Sequence, residues 1–235
     1  MQTFGITMIS LLDYGAGNVR SVVNALERLG ETVRIIGSAG DIDTARRLVF
    51  PGVGSFGSMM HILREKQFID PLLAYLRAGK PFFGICLGLQ ALFAGSEEAP
   101  GVTGLGILPG KVKRFTTSLA VPHIGWNGIK ARQPSRLFNG LAGDEKFYFV
   151  HSYHIVPEAA EDVLTVTDYG YEFVSAIQHG NITATQFHPE KSGMAGLLLL
   201  ENFLATDREV IVPLACPKET VLGKRIIACL DVRSN

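Results

Sequence analysis

The chain of 235 residues lacks an excess of either charge: 22 Lys and Arg stand against 22 Asp and Glu. A neutral balance excludes a general electrostatic pull toward nucleic acid or an anionic membrane. Apolar runs are short, and none approaches the ~18 residues of a bilayer-spanning helix. The uncharged stretch from Gln2 to Leu12 has no basic leader and no small-residue cleavage site, so it reads as a first strand rather than a signal peptide. Cysteine is scarce: Cys86, Cys216 and Cys229 are too few and too scattered for a disulfide framework. A reducing, cytoplasmic setting is the expectation, with an organellar address left open. Internal repeats and low-complexity tracts are absent as well.

What is present is apolar mass and clustered glycine. Hydrophobic residues make up 47% of the chain, enough for a folded core rather than a disordered one. The 26 glycines come in groups, which points to tight turns and close backbone approach. Residues 7–13 predict a buried strand. The turn Gly15-Ala16-Gly17-Asn18 leads into a helix whose apolar positions Val19, Val22, Val23, Leu26 and Leu29 keep helical spacing, with Gly30 as its stop. Residues 32–36 and 47–50 predict two more strands, the second ended by Pro51-Gly52-Val53-Gly54. A helix carrying Met60, Leu63 and Phe68, another over 71–78, and an apolar strand over 81–85 follow. Strands apolar on both faces, alternating with helices, indicate an α/β sheet covered on both sides.

From Gly104 to Gln186 the pattern changes to short alternating strands without helical period, which predicts a more antiparallel second half. A buried helix over 194–204, with Ser192 as its N-cap, closes the unit. After Thr206 comes a Pro-containing connector over 207–223. Residues 224–235 open with one further strand, Lys224 to Val232.

Two motifs carry chemistry. Gly84-Ile85-Cys86-Leu87-Gly88 lies between an apolar strand and a helix expected over 87–94, the setting of a nucleophile elbow. The flanking glycines would allow a strained turn. The sulfur would lie at a helix N-terminus, where the macrodipole favours thiolate. The Leu87 N–H would donate into an oxyanion hole, and N–H groups of Gly52 or Val53 would complete it. A buried cysteine alone is more often structural, so the reading needs a base. His188-Pro189-Glu190 supplies one: in an extended segment residues 188 and 190 point the same way, and Glu190 would orient the His188 imidazole. His151 and His154, three apart in a strand, do not form a zinc pair. His61 and His179 read as surface or structural, and Arg20 as a solvated face or a partner contact.

Cys86 within GICLGLQ, with the later HPE, resembles the class I (triad) glutamine amidotransferases. Residues 12–18, 51–54, 122–127 and 148–154 are similar to the glutaminase part of imidazole glycerol phosphate synthase. The resemblance covers residues 7 to about 205 and implies a flavodoxin-like three-layer sandwich with a mixed, largely parallel central sheet. It implies glutamine as substrate, Cys86, His188 and Glu190 as the catalytic triad, and Gln90, Ser152 and Tyr153 as the residues that hold glutamine. It implies no metal and no organic cofactor. The expected partner is a (β/α)8 cyclase barrel, met through Asn18, Arg20, His123, Trp126 and Asn127. While idle, the family keeps the 51–54 loop turned wrongly for the oxyanion. The tail from Lys224 to Val232 is similar to the first strand of that cyclase. The expected organisation is therefore a glutaminase over 1–206, a linker over 207–223, and the start of a truncated barrel over 224–235. The glutaminase of another triad amidotransferase and a non-catalytic binding subunit stand as alternatives.

Overall fold

In the computed structural model the described residues are 8–15 and 18–205; the Ala16-Gly17 turn, the connector and the expected barrel strand lie outside them. The order is β1 (Met8–Leu12), α1 (Val19–Arg28), β2 (Thr32–Ile36), α2 (Ala39–Thr44), β3 (Leu48–Gly52), α3 (Phe56–Glu65), α4 (Ile69–Arg77), β4 (Phe82–Cys86) and α5 (Leu87–Gln90). Then come β5 (Gly110–Arg114), β6 (His123–Gly128), β7 (Lys130–Ala131), β8 (Lys146–His151), β9 (Tyr153–Pro157), β10 (Val163–Asp168), β11 (Glu172–His179), β12 (Ile182–Thr185) and α6 (Gly193–Leu204).

Eight strands form one sheet in the order β2-β1-β3-β4-β12-β11-β10-β7. The pairs from β2 across to β12 are parallel, and those from β12 to β7 are antiparallel. The sheet is thus mixed, with its antiparallel part drawn from the second half of the chain. Two small antiparallel sheets, β5–β9 and β6–β8, stand apart from it.

Strand alternation sorts the core into two layers. Leu48, Phe50 and Phe82 face α2, α3 and α4, packing with Ile42, Met60, Leu63 and Leu72. Val49, Phe83 and Ile85 face the other way, with Leu26 of α1 and Leu199 and Phe203 of α6. Helices on both faces explain why every residue of β3 and β4 is buried and why those strands read as continuous apolar runs.

Several expectations shift. Strand β3 runs on through Pro51 and Gly52 instead of stopping at Phe50, because Gly52 still pairs with Cys86. Phe68 lies beyond α3, at the N-cap of α4. The helix expected over 87–94 is a single turn. The backbone carbonyls of Ala91, Leu92, Phe93 and Ala94 are instead taken by N–H groups of residues 104–108, so the segment folds against a distant loop. Ser192 is the N-cap of α6 by position, but its hydroxyl does not cap. It donates to the His188 carbonyl at 2.6 Å and accepts from the Tyr148 N–H at 3.0 Å. No described helix is long and apolar enough to cross a membrane.

Candidate active site

Cys86 ends β4 and stands immediately before α5 with φ 56° and ψ −103°. A non-glycine residue at positive φ is strained, and such strain gathers at functional turns. The flanking glycines therefore serve differently from the expectation. The turn's strain sits on Cys86, while the glycines make room around it. A Cβ on Gly88 would come 2.0 Å from the Phe50 carbonyl oxygen, and one on Gly52 would come 2.6 Å from Leu87 Cβ. The elbow is pressed onto the end of β3, and only glycine permits that approach.

His188 and Glu190 meet by a different geometry from the extended one expected. Residues 189–191 form a 3-10 turn with His188 at its N-cap. Across that turn His188 Nδ1 and Glu190 Oε1 lie 2.8 Å apart, both side chains 1% exposed. The His188 N–H donates to the Tyr148 carbonyl at 2.9 Å, which ties the residue to β8. His188 Nε2 and Glu190 Oε2 are buried without a hydrogen-bond partner. Burial opposes a charge on the ring, but the Cys86 charge and then Glu190 hold the His188 pKa well above the usual histidine range. The arrangement favours an imidazolium, with Nε2 left as the atom that can give or take a proton.

Cys86 faces a cavity of about 270 Å³ whose walls include Val53, Gln90, Glu98, Ser152 and Tyr153. Ligand clefts commonly measure about 300–1,000 Å³, so this one suits a small metabolite. Gln90 is buried, and its Nε2 donates to the Tyr153 carbonyl and to Gln186 Oε1, each at 3.0 Å. Glu98, absent from the sequence reading, brings a carboxylate to the wall; its Oε2 accepts from the Phe56 N–H at 2.7 Å. No strand or helix was expected over residues 95–104, so nothing in the sequence pattern pointed to it. Gln186 was also missed, although it stands two residues before His188.

The residues expected at the oxyanion hole differ in what their N–H groups do. Leu87 opens α5, and the first N–H groups of a helix have no intrahelical acceptor. The Val53 N–H is engaged elsewhere: it donates to the Tyr14 hydroxyl at 3.1 Å, and that hydroxyl donates to the Val53 carbonyl at 2.8 Å. Burial pushes the Tyr14 phenol up to about 12, so it remains a neutral donor.

The five expected partner-contact positions separate. Arg20 is exposed and Asn18 half-buried, accepting from the Ser21 hydroxyl at 2.8 Å. Trp126 and Ile124 are 46% and 60% exposed on one face of β6. His123 departs from the expectation: it points inward from the same strand, stacks on Tyr169 and sets its Nδ1 3.2 Å from His151 Nε2. Asn127 donates to the Asp168 carbonyl at 2.8 Å.

A family model for class-I glutamine amidotransferases matches residues 10–206. The chain belongs to that family. Among amidotransferases it is 51% identical over 197 residues to imidazole glycerol phosphate synthase subunit HisH of Deinococcus radiodurans, covering 83% of this chain and 92% of that one. It is 46% identical over 233 residues to the chloroplastic imidazole glycerol phosphate synthase hisHF of Arabidopsis thaliana, and 48% over 241 residues to the hisHF protein of Schizosaccharomyces pombe. Those matches cover 97% of this chain but only 39% and 44% of the relatives' length. The amidotransferase fold recurs in the PurLQS structure from Thermotoga maritima, with a TM-score of 0.68 at 20% identity, over 86% of this chain and 99% of that one.

Proposed function

We propose that this chain is the glutaminase of an imidazole glycerol phosphate synthase, hydrolysing glutamine to glutamate and ammonia. One observation carries the reading: Cys86 on a strained elbow opens onto a small cavity while the buried His188–Glu190 pair stands behind it. The Cys86 thiolate attacks the side-chain carboxamide carbon. The Leu87 N–H receives the developing oxyanion, joined by Val53 once its peptide turns from Tyr14; Gly52 is the other expected donor. One such donor is worth about 2.7–4 kcal/mol. His188 Nε2 protonates the departing ammonia, and Glu190 holds the ring through Nδ1. Water then attacks the glutamyl thioester, with His188 taking its proton, and glutamate leaves as the thiolate returns. Ser152, Tyr153 and Gln90 flank the amino-acid end of the substrate, and the Glu98 carboxylate complements its α-ammonium.

The ammonia would pass to a (β/α)8 cyclase that makes imidazole glycerol phosphate and aminoimidazole carboxamide ribonucleotide in histidine biosynthesis. Fusion of both activities under one name in the hisHF relatives supports this partner, as does the exposed apolar pair Ile124 and Trp126. Residues 207–223 would link the glutaminase to the barrel. The test is glutamate release from glutamine by this chain, with and without an added cyclase barrel. Glutamate release stimulated by the barrel, with imidazole glycerol phosphate formed, is expected. Absence of any glutamate release with the barrel and its ligand present would refute it.

A further inference from the structure

Gln186 follows β12, is fully buried, and takes no part in the mechanism above. Its Nε2 donates to Cys86 Sγ at 3.4 Å, and its Oε1 accepts from Gln90 Nε2 at 3.0 Å. The second hydrogen of the Gln90 amide goes to the Tyr153 carbonyl, also at 3.0 Å. This chain has only one consistent sense. A backbone carbonyl can only accept, so Gln90 must turn its NH2 toward Tyr153. The other hydrogen of that NH2 then meets Gln186, which must turn its oxygen to receive it. The Gln186 NH2 is left facing the sulfur. The Gln186 main chain is fixed too, its N–H donating to the Ser175 carbonyl at 2.8 Å.

A donor aimed at sulfur favours the charged form over the thiol. The helix behind Cys86 cannot supply this alone, since one turn aligns too few peptides for a substantial dipole. We propose that Gln186 is a catalytic residue of the glutaminase reaction, its side-chain amide holding the Cys86 thiolate in a direction set by Gln90 and Tyr153. The amide has no ionisation of its own, so it does this without competing for the proton that His188 carries. The inference rests on Cys86 being the nucleophile.

The test uses the full chain and site-resolved alkylation of Cys86 by iodoacetamide across pH, read by peptide mass spectrometry. Gln186→Met keeps the bulk and removes the donor; Gln186→Asn keeps the amide but withdraws it by one methylene. A hydrogen bond to a charged group is worth about 1–2 pH units of midpoint. Both variants are expected to move the labelling midpoint upward by that amount, and to lose ultraviolet thiolate absorbance at neutral pH relative to the parent. In glutamine hydrolysis kcat falls with little change in KM, and the loss shrinks as pH rises. An unchanged midpoint in either variant, with native circular dichroism, overturns the proposal. Should Gln186→Met not fold, Gln186→Asn alone decides. Failure of the nucleophile reading looks different: Cys86→Ala would then keep glutaminase activity, whatever the labelling midpoints do.

Discussion

The Tyr14 hydroxyl closes a ring on the Val53 peptide edge, donating to its carbonyl at 2.8 Å and accepting from its N–H at 3.1 Å. Two residues 39 positions apart thus fix the orientation of the loop that borders Cys86. Tyr14→Phe removes both bonds at once. We expect a higher basal rate of glutamate release without a barrel, because the Val53 N–H is then free to turn. Stability should fall by about 1–3 kcal/mol, the cost of unpairing buried polar groups. A variant that is destabilised yet no faster would show that this ring does not restrain the loop.

Cys86→Ala should abolish glutamine hydrolysis and leave the fold intact. It should also lower the His188 pKa. Burial pulls that value down, and the sulfur's charge is the largest force raising it; Glu190 alone remains in the variant. Ring-proton titration by NMR, parent against variant, reads the change. An unmoved titration would mean that the two groups do not sense one another.

Acid should weaken the fold through buried histidines. Burial lowers the His123 pKa to about 4 and that of His151 to about 3, and lowers that of His154 as well. Below pH ~6.5 the unfolded chain binds these protons and the folded chain does not. Stability is therefore present above that pH and is lost as pH falls toward 3. In urea unfolding across pH, His151→Gln should flatten the acid slope by up to about 1.4 kcal/mol per pH unit. An identical slope in parent and variant would remove His151 from the account.

Two glycine substitutions should behave oppositely. Gly88→Ala drives a methyl against the Phe50 carbonyl and should cost about 3 kcal/mol, with loss of glutaminase activity. Gly40, in α2, has nothing near its missing Cβ, and Gly40→Ala should stabilise by about 0.5–1 kcal/mol. Thermal unfolding of both, beside the parent, checks the pair.

Elements whose pattern is local were legible in the sequence. Strand β2 falls on the expected 32–36, and α1 follows its valines and leucines to a stop at Gly30. Where distant segments decide, the reading strayed. The elbow helix stops after one turn, where residues 91–94 leave the helical path to pair with residues 104–108. The His188–Glu190 contact was anticipated, but through an extended segment rather than a 3-10 turn. Glu98 and Gln186 gave no signal, since a carboxylate in an irregular segment and an amide in a strand end look ordinary until Cys86 is set beside them. The inward turn of His123 follows from the period of β6, which exposes Ile124 and Trp126 and buries their neighbour.

The separateness of the β6–β8 sheet has a mechanical consequence. Cys86 is anchored in the eight-stranded sheet, whereas the main chain of His188 is stitched to Tyr148, the register partner of Trp126. His188 is therefore held twice, through β12, which pairs with the strand of Cys86, and through β8 of the small sheet. A load on the outer face of Trp126 is thus one hydrogen-bonded strand away from the main chain of His188, by a route that crosses no rung of the large sheet.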